Sequence, residues 1–482
     1  MLRIKVIDKG APAKKLDISS AYLLGNDRVP LRAALKFVKG EIVSDARSRG
    51  AAALSIMWPV EGFGRMMLET PRLQERNEPY NLSVELARGR MMRISQKREE
   101  WGLYDFPDGE PVYQEIKRAR DLLIEAMTAP DEIVAARQGE AAIAAGVSAG
   151  EAVSAFHADV FLRRRRAAGQ FIKHPFGCHV DPTQNSKDYL SRLTEAFDFA
   201  ILPFCWSSME PKEGHPKPSN IDPWLRLLHQ HKMPAWGTPL LSMDPAHLPD
   251  WLHRWARDYD RFRDCVSRHI QHVLKTYGPH VQAWEVISGI HAQNALGFTF
   301  EQIMDLTRVS SLLVKQMAPK AAAIIGITFP WGEYYASDPR TIPPILYAEM
   351  AVQSGINFDA FGLEIRFGTH EGGGFVRDMM QISSLLDRFG SLGKPLHISA
   401  AGVPSAGGVT AGGLWHGEWS DQVQADWIRD FCRTALSKPF VETVSCHRLA
   451  DGADLDGLLN MDGSPKPAYQ ALLDFKGEII GA

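Results

Sequence analysis

No apolar run in this chain reaches the ~18 residues that a membrane-spanning helix needs, so no membrane partner is expected. Cysteine is scarce. Five residues (Cys178, Cys205, Cys265, Cys432, Cys446) lie scattered through 482, with no Cys-x-x-Cys pair and an odd total, which argues against a disulfide framework and for free, mostly buried thiols. An excess of one charge is missing too: 54 basic against 57 acidic residues leave a net charge of −3, and no global field points to nucleic acid. No Gly-x-Gly-x-x-Gly or Walker-type loop is present, and none of the sixteen histidines forms a His-x-x-x-His pair, so neither a cofactor nor a metal is expected. The first residues, Met1-Leu2-Arg3-Ile4-Lys5-Val6, alternate charged and apolar groups instead of forming the apolar stretch of a signal peptide, and the expected location is the cytoplasm.

What is present is an ordinary globular composition, 45% hydrophobic and 23% charged, long enough for two or three domains. Residues 1–95 read as a β-rich, sandwich-like domain: 2–7 and 34–38 alternate in the manner of strands and 51–58 is an apolar strand. Trp58 is either core or a sugar platform. Residues 96–170 read as a helical connector, with a turn at Pro107-Asp108-Gly109 and helices over 112–127 and 130–161, the second broken near Gly146 and Gly150. The run Arg163-Arg164-Arg165-Arg166 could grip phosphate, form a solvated helix face or make an interdomain contact.

From residue 171 to 482 eight short apolar runs alternate with amphipathic stretches. The runs are 172–180, 197–206, 233–241, 281–287, 321–329, 358–365, 395–400 and 440–446, with helical segments such as 251–276, 300–317, 345–354, 377–389 and 422–436 between them. This α/β pattern predicts a closed (β/α)8 TIM barrel, whose chemistry belongs at the C-terminal ends of the strands.

Those ends carry a set of landmarks in order: Phe204-Cys205-Trp206-Ser207-Ser208-Met209-Glu210-Pro211-Lys212-Glu213-Gly214, Trp236-Gly237-Thr238-Pro239-Leu240-Leu241-Ser242, Leu248-Pro249-Asp250-Trp251, Phe358-Asp359-Ala360-Phe361-Gly362-Leu363-Glu364, Gln422-Val423-Gln424-Ala425 and Pro465-Lys466-Pro467-Ala468-Tyr469. In order and spacing they resemble glycoside hydrolase family 10, the xylanase family, from about residue 196 onward. That resemblance implies a carbohydrate ligand, with a β-1,4-linked glycan as the specific case. It also implies two catalytic glutamates, at the ends of Trp284-Glu285-Val286-Ile287-Ser288-Gly289 and Leu396-His397-Ile398-Ser399-Ala400-Ala401. Those two places hold Gly289 and Ala400. A retaining glycosidase needs a proton donor and a nucleophile about 5–5.5 Å apart, and neither residue can be either. Other sugar-contacting places are altered too, to Thr238, Ser242, Glu364-Ile365-Arg366 and the neighbourhood of His447.

Three readings follow. The preferred one is a family 10-like barrel that binds carbohydrate without xylanase turnover, through Trp206, Trp331, Tyr334, Glu364, Arg366 and His447, since aromatic faces stack on sugar rings and carboxylates accept from hydroxyls. In the second, an active glycosidase uses relocated carboxylates drawn from Glu333, Glu364 and Glu285. Glu285 lies four residues before Gly289, roughly 13 Å deeper by strand rise, and also reads as a buried carboxylate bound to an arginine or an amide. The third is a structural protein that assembles with copies of itself or with another chain. The loop His370-Glu371-Gly372-Gly373-Gly374 reads as a lid or an ordinary flexible connection.

Overall fold

The computed structural model describes residues 2–44, 50–105, 110–171, 174–184, 186–217, 220–368, 374–407 and 412–480. The turn at Pro107-Asp108-Gly109 and residues 370–373 of the expected lid lie outside the described residues.

The N-terminal region is β-rich. One four-stranded sheet runs Tyr80–Asn81, Leu2–Lys5, Glu41–Ser44, Leu35–Val38, and a second runs Pro30–Leu31, Tyr22–Leu24, Ala53–Val60, Gly64–Glu69. Alternation buries Leu2, Ile4 and Ile42 on one face of the first sheet, where they join Leu54 and Ile56 of the second in a shared core. Trp58 belongs to that core, its indole N–H donating to Glu140 at 3.0 Å.

Three helices follow: α1 (Leu82–Glu100), α2 (Glu110–Met127) and α3 (Glu132–Ala167). Asp131 caps α3 by accepting from the amides of Ile133 and Val134 at 2.9 and 2.8 Å. The expected break near Gly146 and Gly150 does not occur, and α3 runs 36 residues unbroken. The two glycines make room for the buried Arg90 of α1. Its Nε donates to the Gly146 carbonyl at 2.9 Å, and a Cβ at position 150 would stand 1.9 Å from its Nη2. A helix glycine costs about 1 kcal/mol, and here that buys passage for a guanidinium that reaches Asp378 of the barrel at 2.5 Å. In the arginine run, Arg165 ties α3 to the barrel: buried, it donates from Nη1 to the carbonyls of Leu436, Lys438 and Val441 at 2.8, 2.9 and 3.0 Å.

The rest is a closed parallel barrel of eight strands: β1 (Phe176–His179), β2 (Phe199–Pro203), β3 (Ala235–Thr238), β4 (Ala283–Ser288), β5 (Ala322–Ile327), β6 (Ala360–Arg366), β7 (Leu396–Gly402) and β8 (Val441–Cys446). It closes where Cys178 pairs in register with Cys446. The second N-terminal sheet borders the C-terminal rim. Met67 N–H donates to the Val376 carbonyl (2.9 Å) and Leu414 N–H to the Arg65 carbonyl (2.8 Å), and Val376 and Leu414 stand in the loops after β6 and β7. Among the described residues no helix is long and apolar enough to cross a membrane.

Candidate functional site

Side chains at the rim come from the last residues of each strand and from the loops that follow. Gly289, one residue past β4, has φ +62°, a left-handed backbone that L side chains rarely adopt. A Cβ there would stand 2.8 Å from Thr328 Oγ1 and 2.9 Å from Gln293 Oε1. Ala400 is buried on β7.

Of the expected relocated carboxylates, Glu333 is committed elsewhere. Buried in the turn after β5, it accepts from Arg377 Nη2 at 2.6 Å, and the fully buried Arg377 also donates to the Tyr22 hydroxyl (3.2 Å) and to the Phe375 carbonyl (2.9 Å). Burial raises the Glu333 carboxyl above its ordinary range and Arg377 opposes the rise. The expected Glu333/Glu364 pair is therefore corrected: Glu333 is locked into the junction with the N-terminal sheet. Of the three expected sugar platforms, Trp331 and Trp206 have a ring face covered by another side chain. Trp331 lies under the Arg377 guanidinium, 4.3 Å from ring centroid, with Phe367 beside it at 5.6 Å. Tyr334 spends its hydroxyl on the Ile342 carbonyl at 2.9 Å. Trp206 is 3% exposed, stacked on His269 at 4.2 Å, with its N–H on Glu210.

Glu364, Arg366 and His447 are brought together. Arg366 at the end of β6 donates from Nη1 to Glu364 (3.3 Å) and from Nη2 to Asp454 (3.0 Å), with Asp456 3.6 Å away. Just past β8, His447 Nδ1 donates to Asp456 Oδ2 at 2.6 Å, which fixes the tautomer and leaves Nε2 as the other ring site. Burial pushes the Asp456 carboxyl up, but His447, Arg366 and Arg448 outweigh it and hold the group below its ordinary range. His179, at the end of β1, stands with its ring 6.0 Å from His447 and donates from Nε2 to the Ser399 carbonyl at 2.8 Å. Burial and the neighbouring His447 depress it to about 3, so it is neutral.

Glu285 on β4 is buried and, among the described residues, has no arginine on it, contrary to one expectation. Burial pushes its carboxyl up to about 7, hydrogen bonds with Ser288 and Thr238 pull it back, and the charge of Glu364 pushes it further up. The carboxyl lies over β5: a Cβ on Gly326 would stand 1.9 Å from its Oε1, so the strand must carry glycine there.

Asp454 and Asp456 were not anticipated. Their signal was the spaced acidic turn Asp451-Gly452-Ala453-Asp454-Leu455-Asp456-Gly457 directly after the last strand. The expected absence of a Gly-x-Ser-x-Gly string is corrected by Gly146-Val147-Ser148-Ala149-Gly150, but this lies inside α3 and not on a strand-to-helix turn, and Ser148 Oγ bonds Glu115 at 3.2 Å, so no serine-hydrolase elbow is formed. Among the described residues no three His, Cys, Asp or Glu side chains are placed to hold a metal.

Solved structures share this architecture. The chain superposes on xylanase 10B of Thermotoga maritima with a TM-score of 0.51 at 16% identity, over 65% of this chain and 98% of that one. A family 10 glycoside hydrolase of Paenibacillus barcinonensis gives 0.50 at 17%, over 63% and 95%, and a psychrophilic family 10 endo-β-1,4-xylanase gives 0.51 at 15%, over 63% and 97%. The barrel has the xylanase-10 fold. At these identities the likeness speaks for the fold. No family model matches the chain, and no curated protein sequence matches it.

Proposed function

We propose that the barrel rim binds an uncharged carbohydrate through Glu364, Arg366, His447 and Asp454, without the turnover of a retaining xylanase. The observation that carries this reading is the assembled cluster at the ends of β6 and β8, which presents carboxylate acceptors beside guanidinium and imidazole donors. Vicinal sugar hydroxyls are donors and acceptors at once, and such a mixed set matches them; hydrogen bonds to charged groups are worth about 1.5–3 kcal/mol each. Arg366 faces three carboxylates, which disfavours an anionic ligand at this position. The empty acid positions at Gly289 and Ala400 support binding over covalent hydrolysis.

Glu285 favours a second reading. A carboxyl raised to about 7 with a second carboxylate acting on it is the environment of a general acid, so Glu285 with Glu364 forms the alternative hydrolytic pair. Calorimetry with β-1,4-linked oligosaccharides, run beside hydrolysis of aryl glycosides, separates the two. The expected result is binding weakened at least tenfold by Arg366→Gln with no turnover. Turnover abolished by Glu285→Gln would establish the second reading, and absence of both binding and turnover would sink both.

A further inference from the structure

A second feature lies outside the barrel rim. Between the turn 24–28 and the segment 69–74 of the N-terminal region on one side and α1 on the other runs a groove of about 710 Å³. Arg28, Arg72, Arg88 and Arg93 line it, and among the described residues Glu69 is its one acidic lining residue, leaving three net positive charges on that lining in a chain whose total is −3. Glu69 is already engaged: Arg93 binds it directly and Arg28 stands 3.7 Å away. Arg88 pairs with Glu85 at 2.7 Å. The two outer arginines have capacity to spare, for among the described residues Arg72 bonds only the neutral Asn26 (2.6 Å) and the Arg28 side chain is half exposed. Arg28 is also held in place, since its backbone is left-handed (φ +58°) and Arg388 donates to the carbonyls of Asp27 and Arg28 at 2.8 and 3.3 Å.

The groove is continuous with a smaller cleft. Leu24, Arg28, Glu69 and Arg93 line both, and the cleft ends at Pro330 and Trp331 beyond β5. We infer that this groove is a binding site for an acidic oligosaccharide, a sugar chain bearing carboxylate or sulfate groups. Arginine forks match those planar or tripodal oxyanions better than any other side chain does. Asn26, Gln74 and Gln96, exposed between the arginines, supply neutral partners for hydroxyl groups. The volume suits several rings of a chain and exceeds what one free phosphate needs. Single-stranded nucleic acid fits less well: among the described residues the one aromatic ring lining the groove, Tyr80, is covered by the Arg76 guanidinium at 3.5 Å, and Trp331 at the end of the cleft by Arg377 at 4.3 Å, so bases find poor stacking platforms. The inference stands on the groove alone and does not require the rim to bind sugar.

Calorimetry at physiological salt with oligogalacturonate, a heparin-derived oligosaccharide, an uncharged xylo-oligosaccharide and oligothymidylate tests it, on the whole chain and on the Arg28→Gln/Arg72→Gln and Arg366→Gln variants. The expected result is binding of at least one acidic oligosaccharide, weakened at least tenfold by the double substitution and unchanged by Arg366→Gln; whichever acidic probe binds better identifies the oxyanion. Both exchanged arginines are on the surface, and far-ultraviolet circular dichroism confirms folding of the variants. Failure of the rim reading would show only in the uncharged probe. No binding of either acidic probe, unchanged affinity in the double variant, or equal binding of oligothymidylate would each overturn the inference.

Discussion

Replacing Arg377 by Met tests whether Glu333 is a structural charge or an available catalytic one. The guanidinium is fully buried and stands 2.6 Å from Glu333 Oε1, itself 6% exposed. Removing one partner of such a pair strands the other and costs about 3–5 kcal/mol. The stranded carboxyl can escape part of that cost by holding a proton, so the loss depends on pH. Glu333 already sits above its ordinary value of 4.5, and without Arg377 it rises further. A carboxyl raised in the folded state binds more protons there than in the unfolded chain, so stability falls as pH climbs above 4.5, by up to about 1.4 kcal/mol per unit until the folded-state value is passed. The variant is therefore expected to lose about 1–2 kcal/mol at pH 5 and about 3–5 at pH 8, read from urea unfolding followed by tryptophan fluorescence. Trp331, directly under the guanidinium, adds a local signal. The double change Arg377→Met/Glu333→Leu should recover most of the loss at both pH values, because an apolar pair leaves no charge to desolvate. A loss below 1 kcal/mol at pH 8, or one equal at both pH values, would refute the reasoning.

Two further outcomes follow from the rim. Glu285, raised to about 7, makes the wild-type protein lose stability as pH rises from 4.5 through 7, by an order of ~3 kcal/mol; Glu285→Gln should remove that slope in urea titrations at pH 5 and 8. Gly289→Glu should not yield a xylanase: the left-handed backbone alone costs a side chain about 1–2 kcal/mol, and Thr328 and Gln293 occupy the space. Aryl xyloside hydrolysis should stay at background and the unfolding midpoint should drop, with Gly289→Ala dropping nearly as far.

The barrel was legible because buried parallel strands write themselves as apolar runs, and all eight observed strands overlap the runs read from the chain. The helices show in the sequence as amphipathic stretches alone; the structure adds the caps, Thr299 and Asp378 each closing a reciprocal box with a glutamine three residues on. The site was legible only where partners share a strand, as with Glu364 and Arg366 two residues apart. Long-range pairings carry no local signature: Arg377 meets Tyr22 across 355 residues, and Arg90 meets Asp378 across 288. The same blindness misread Trp206 and Trp331 as platforms, for an aromatic at a strand end looks alike whether its face is bare or covered by His269 or Arg377. The glycines of α3 misled for a related reason, since the arginine they accommodate belongs to another helix.

Arg165 anchors the first third of the chain beneath β8, and the Gly64–Glu69 edge fastens it above β6 and β7, so the barrel is clasped along one flank from floor to brim. The clasp leaves the ends of β1 to β4 as the flank away from the N-terminal region, the side by which a polymer of the proposed kind would approach. On the clasped flank the doorway is framed by residues that precede the barrel in the chain, and insertions between Tyr22 and Glu69 would reshape the entrance without altering a single barrel strand.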